Sequence, residues 1–325
     1  MISRRSFSVM LAATLAHSTV LEPRFERTIP LPGIQGRIDH FTADTKGGRL
    51  FVAALGNGSV EAIDCNLQRI VHSIAGLKEP QGLLYLPQEN RLYVATGGDG
   101  SLRIYNGTTF RLVSTTRLGS DADNVRFDSV ANSVYVGYGE GAIAVVDVNG
   151  TVQGNIALTA HPESFQMERN GSRLYVNVPD SKRVVVIDRE KRSLIAEWNI
   201  AETSANFPMA LDEERKRLFV VCRRPARMLV FDTNSGKIVQ TLSTVGDADD
   251  IFFNTVRREL YVSGGEGALD VFGEDSANGY KQRVRIVTSA GARTSLFVPD
   301  WSRLFIAVPH RSSDQPAHLL VYAVA

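Results

Sequence analysis

The sequence predicts an all-β fold, a seven-bladed β-propeller of four-stranded blades closed by its own N-terminal strand. Three observations predict it. A short aromatic strand recurs seven times at a nearly constant step. Each copy carries the same order of strands and turns. The last copy lacks its final strand, and a matching strand stands near the N-terminus.

The recurring strand reads Leu50-Phe51-Val52, Leu92-Tyr93-Val94, Val134-Tyr135-Val136, Leu174-Tyr175-Val176, Leu218-Phe219-Val220, Leu260-Tyr261-Val262 and Leu304-Phe305-Ile306, with steps of 42, 42, 40, 44, 42 and 44 residues. Within a copy an apolar strand comes first, as in Gly82-Leu83-Leu84-Tyr85-Leu86, followed by a polar turn such as Pro87 to Asn90. The aromatic strand is next, usually led by arginine, as at Arg91. A glycine turn follows, as in Gly56-Asn57-Gly58 and Gly98-Asp99-Gly100, where glycine supplies a positive φ. A third strand ends near an aspartate, as in Val186-Ile187-Asp188, and a fourth alternates apolar residues, as in Ile238 to Leu242. Four short strands in about 40 residues select a propeller over a sandwich or barrel. The seventh copy stops at Ala325 without a fourth strand, and Phe25 to Leu31 resembles the fourth strand Arg69 to Ala75, so residues 19–325 are expected to form one closed ring.

The first residues read differently. Arg4 and Arg5 precede an apolar run from Val9 to Ala16, and Ser3-Arg4-Arg5-Ser6-Phe7 resembles a twin-arginine export signal. Residues 1–18 are therefore expected to be an export segment cut after Ala16 or Ser18, and the mature protein to be periplasmic or extracellular. An ordinary secretory leader or a short membrane anchor fits the same composition. The net charge of +1, from 36 basic and 35 acidic side chains, gives no basic stripe for nucleic acid. No later stretch is long and apolar enough to span a bilayer. Cys65 and Cys222 lie in different repeats at different places within them, and are expected to be free, mostly buried thiols.

The copies Arg91-Leu92-Tyr93-Val94-Ala95 and Val186-Ile187-Asp188 resemble the YVTN-type repeats of YncE-like bacterial propeller proteins, from about residue 24 to the end. The resemblance implies a seven-bladed, WD40-like fold and frequent export. It implies no reaction, and no motif carries over a catalytic residue from the related 6-phosphogluconolactonase-like propellers. The family's Pro-x-Gly before the first strand survives clearly only at Pro80-Gln81-Gly82.

Repeat equivalence brings distant residues together. Eleven positions before the aromatic strand stand Asp39, Gln81, Asp123, Glu163, Phe207, Asp249 and Arg293; ten before it stand His40, Gly82, Asn124, Ser164, Pro208, Asp250 and Thr294. In a propeller this segment leads into the innermost strand, so the first set should ring the channel mouth, with His40, Asn124 and Asp250 beside it and His161 two residues before Glu163. The glycine-turn residues Asn57, Asp99, Glu140, Asp180, Glu266 and His310, with Arg223, Arg224 and Arg227, should crown the same face. Asp39, Asp123, Glu163 and Asp249 form an acidic set suited to a divalent cation such as calcium. Aspartates at such positions also satisfy turn N–H groups without any ligand.

Two readings stand. One is an exported propeller that binds a small molecule, ion, glycan or protein on the channel-mouth face. The other is a metal-assisted lactonase or other hydrolase, with the four carboxylates as ligands and His40 or His161 as general base. A redox role would need a cofactor, and no covalent haem motif is present. The aromatic-strand rings are expected to be core, and Trp198 and Trp301 to serve packing or turns.

Overall fold

The computed structural model describes residues 22–276 and 279–324; the expected export segment at 1–18 lies outside them. Among the described residues seven four-stranded antiparallel sheets are arranged as blades, each with its strands in chain order except the last. The innermost strands of blades one to seven are Phe41–Asp44, Pro80–Leu86, Val125–Asp128, Phe165–Met167, Ser204–Asp212, Ala248–Asn254 and Ser295–Val298. In blade seven the N-terminal strand Arg24–Pro30 pairs antiparallel with His318–Ala323 on the outside, so the ring closes as the repeat count requires. Arg303 donates to both carboxylate oxygens of Glu26 across that closure, at 2.7 and 3.2 Å, and this holds Glu26 below its usual carboxylate range. No helix among the described residues is long and apolar enough to cross a membrane.

The alternation of each aromatic strand accounts for the packing. Phe51, Tyr93, Tyr175, Phe219, Tyr261 and Phe305 are fully buried between neighbouring blades. Each contributes about 2 kcal/mol through the apolar area it removes from water. In these strands Tyr93 donates its hydroxyl to the Val148 carbonyl at 2.7 Å and Tyr175 to Glu168 at 2.8 Å. These rings are core, as expected. Trp198 lies between Tyr175 and Phe231, and Trp301 ties blade seven to blade one by donating from Nε1 to the Thr45 carbonyl. The aspartates ending the third strands cap the turns beyond them; Asp64 accepts from the Asn66 and Leu67 amides, and Asp232 from those of Asn234 and Ser235. Cys65 and Cys222 are free, the first half-buried and the second buried, and burial pushes both thiols up to about 11.

Candidate site at the channel mouth

The backbone places the site. Asp39, Asp123 and Glu163 each donate their amide N–H to the residue three positions into their blade's aromatic strand, Ala53, Gly137 and Asn177, at 2.7 to 2.9 Å. The same partners donate back to the carbonyls of His40, Asn124 and Ser164. Residues of different blades thus occupy one rung at the same end of the ladder, and the side chain eleven positions before the aromatic strand turns toward the axis. Gly82 helps to set this spacing. A Cβ on it would stand 2.0 Å from the Asp123 carbonyl oxygen, so only glycine lets blade two approach blade three here.

The result is a cavity of about 140 Å³ at the channel mouth. All seven residues of the predicted ring line it: Asp39, Gln81, Asp123, Glu163, Phe207, Asp249 and Arg293. His40 and His161 line it as well. Asn124 and Asp250 do not. His40, Asn124 and Asp250 all stand at the position next to the ring, and only His40 of blade one reaches the cavity, so repeat position alone does not decide it. Asp250 instead accepts from the Ser295 amide at 2.7 Å and faces His40 Nδ1 at 3.6 Å, and Asn124 is buried behind the ring. Of the expected crown, Arg223 reaches the cavity, whereas Asp99 pairs with Arg103 at 2.6 Å and Glu266 accepts from the Gly246 amide at 2.9 Å, each serving its own blade.

Arg37 and Asp121 also line the cavity, and Asp247 stands beside it, though none belongs to the expected set. All three occupy the position two residues before the ring, as His161 does. The step that picked out His161 would have picked them out too, because residues two apart share a face in an extended segment. Asp121 and Asp247 have left-handed backbone, with φ of 40° and 53°, a conformation aspartate tolerates better than most residues.

The charges divide into two arcs. Across blades five, six, seven and one, carboxylates meet guanidinium groups. Arg223 and Arg293 both pair with Asp249, the latter at 2.8 Å, and Arg37 stands 4.0 Å from the same carboxylate. Arg37 also lies 2.8 Å from Asp39 Oδ2, an ion pair by distance whose N–H is not aligned on that oxygen. Arg293 and Arg223 both reach Asp247, at 3.1 and 3.6 Å, and Arg223 lies 4.0 Å from the centre of the Phe207 ring. His40 is flanked by Asp39 and Asp250. Burial alone would depress its imidazolium, but those two carboxylates and Asp123 together outweigh burial and hold it up to about 10.

Across blades three and four the balance differs. Asp123 and Glu163 have no ion-pair partner among the described residues. Asp123 is only 7% exposed, and its Oδ1 is buried without a hydrogen-bond partner. Burial first, and then the neighbouring carboxylates, push both groups up to about 7, with His40 opposing. His161 uses Nδ1 against the Gly139 carbonyl at 2.6 Å and faces Asp121 at 3.8 Å.

Among the described residues no three His, Cys, Asp or Glu side chains are grouped so as to hold a metal ion. Asp39 and Asp249 face arginines, so the four carboxylates named as calcium ligands are not a free donor set. The carboxylates around His40 favour its imidazolium form, and His161 already uses Nδ1 at the Gly139 carbonyl.

No protein-family model matches the chain, and no curated protein matches it. Its fold is shared by solved structures. A chain in a crystal structure of the mitotic checkpoint complex superposes with a TM-score of 0.77 at 16% identity, over 99% of both chains. A chain of hydrazine synthase from Kuenenia stuttgartiensis superposes with a TM-score of 0.77 at 15% identity, over 91% of this chain and 99% of that one. At such identities the likeness shows the fold alone, a seven-bladed β-propeller.

Proposed function

We propose that the protein is an exported binding propeller whose channel mouth receives the cationic, hydrogen-bond-donating head of a small polar molecule. One observation carries the reading: Asp123 and Glu163 line the channel-mouth cavity with no ion-pair partner among the described residues, and one Asp123 oxygen is buried and unpartnered. An unsatisfied buried carboxylate is costly, and an ammonium or guanidinium group would supply the missing donors and charge. A cavity of about 140 Å³ open at the channel mouth has room for such a head group, with the rest of the molecule outside it. The YVTN-like repeats and the Arg4-Arg5 leader support export.

Methylammonium and guanidinium are suitable probes. A bound ligand at 100 times its Kd raises stability by about 2.7 kcal/mol, visible as a thermal shift. Both probes are expected to stabilise the protein more strongly at pH 8 than at pH 6, because a cation favours the ionised carboxylates. In Asp123→Asn with Glu163→Gln the response should vanish. Absence of any response from the unmodified protein at pH 8, or an equal response in the double variant, would remove the proposal.

A further inference from the structure

Beside the acidic cavity, between blades seven and one, lies a second and more open pocket of about 280 Å³ with the opposite character. Arg37, Arg293, His310 and Arg311 line it, against the single acid Asp247. That acid is already engaged by Arg293 and Arg223. Among the described residues neither Arg311 nor His310 has an ion-pair or side-chain hydrogen-bond partner, and Arg311 is exposed. The Arg311 guanidinium lies along the backbone of Gly291. A Cβ at that glycine would come within 3.2 Å of Arg311 Nε and 3.0 Å of Pro309 Cγ, and its φ of +83° is one that glycine adopts without strain. Arg37 and Arg293 line both pockets and form the wall between them.

We infer that this second pocket is an oxyanion subsite, and that the ligand is dipolar, with its cationic head at Asp123 and Glu163 and a carboxylate or phosphonate at Arg311 and His310. The inference rests on the reading of the inner cavity given above and adds the other end of the ligand. It follows from charge order across the mouth. Two unmatched carboxylates stand on one side, two unmatched basic groups stand on the other, and the arginines between them are neutralised by Asp39, Asp247 and Asp249. Guanidinium groups suit planar oxyanions because they offer paired donors in a fixed fork. A ligand bearing only a cation leaves the outer pocket unused. One bearing only an anion meets the unmatched carboxylates.

The test compares ligands of equal chain length by titration calorimetry at pH 8: 4-aminobutanoate, 3-aminopropylphosphonate, n-butylamine and butanoate. At least one of the two dipolar probes is expected to bind about tenfold more tightly than n-butylamine, with butanoate weakest; which of the two is tighter distinguishes a carboxylate from a phosphonate end. Arg311→Gln, a change at an exposed side chain, should bring the dipolar probes down to the affinity of n-butylamine and leave n-butylamine itself unchanged. Asp123→Asn should weaken all three amines. If n-butylamine binds as tightly as the dipolar probes, or Arg311→Gln alters none of them, the oxyanion subsite is overturned and the cationic cavity survives. If no amine binds, both readings fall together.

Discussion

Asp249 and Asp123 occupy the same position of the repeat, two strands of the same ring, yet they live under opposite conditions. Asp249 gathers arginines from blades five, seven and one, so it functions as a clasp joining three blades. Both keep one buried oxygen outside any hydrogen bond, but Asp123 has no ion-pair partner among the described residues. The backbone of the two positions is equivalent; the difference lies in whether a long basic side chain from a neighbouring blade reaches in. One arc of the ring is thereby committed to holding the propeller together, and the other is left with charge to spend on a ligand. On the proposed reading, binding capacity comes from the pairing that is withheld.

The largest test of that contrast is truncation of each aspartate. Asp249→Ala leaves three guanidinium groups facing one another around a void, and should lower unfolding free energy by about 3 kcal/mol, the scale for removing one partner of a largely buried ion pair. Asp123→Ala removes an unmatched carboxylate and should cost less than about 1 kcal/mol at pH 8, because relief from its burial offsets lost packing. Urea denaturation of both variants measures the difference. Equal losses would mean that the two arcs are one structural network and that Asp123 is not held in reserve.

A second contrast lies in pH. The folded protein holds protons on Asp123 and Glu163 up to about 7, whereas their ordinary values are 3.8 and 4.5. Between about pH 4 and 7 the folded state therefore binds more protons than the unfolded chain, and stability falls as pH rises through that window. His40 adds a decline at higher pH: its value is raised from 6.5 to about 10, so its contribution is full below 6.5 and is lost as pH rises through about 10. For the carboxylate pair a loss of about 2 kcal/mol is expected, a discounted figure because the cavity opens to solvent. Asp123→Asn with Glu163→Gln should flatten the slope between pH 4 and 7 and leave the decline toward pH 10. Urea midpoints across that range decide it, and an unchanged acid-side slope would show that neither carboxylate is raised.

Much of this was legible before any coordinates. Seven copies of one strand at a fixed step leave a single architecture, and the stranded N-terminal segment Phe25 to Leu31 located the closure. The ring itself followed from counting back eleven residues, because the ladder bonds at Asp39, Asp123 and Glu163 repeat the same register. What the sequence did not display is which carboxylates are matched. Arg223 reaches Asp249 from five positions into its aromatic strand, where the other blades carry Leu55, Gly97, Gly139, Pro179, Gly265 and Pro309. Nothing in that substitution reveals the direction of a long flexible side chain. Asn124 and Asp250 stand beside the ring without reaching the cavity, although His40 at the same repeat position does; residues two apart in an extended segment share a face, which explains why Arg37, Asp121 and Asp247 belong to the mouth.

The smallest expected effect concerns Asp121, at the rim of the unmatched arc. Its side chain is 55% exposed, accepts from Gln81 Nε2 at 3.2 Å and lies 3.8 Å from His161. An exposed contact of this kind is worth little, so the carboxylate itself should matter less than the left-handed backbone beneath it. Asp121→Asn retains both an oxygen for Gln81 and a residue type that tolerates positive φ, and should change stability by less than about 0.5 kcal/mol. Asp121→Val imposes a β-branched side chain on that backbone and should cost about 1 to 2 kcal/mol. If Asp121→Asn proved as damaging as Asp121→Val, charge rather than backbone would hold the rim of this arc. The open side of the ring would then be braced electrostatically after all, as the side around Asp249 is.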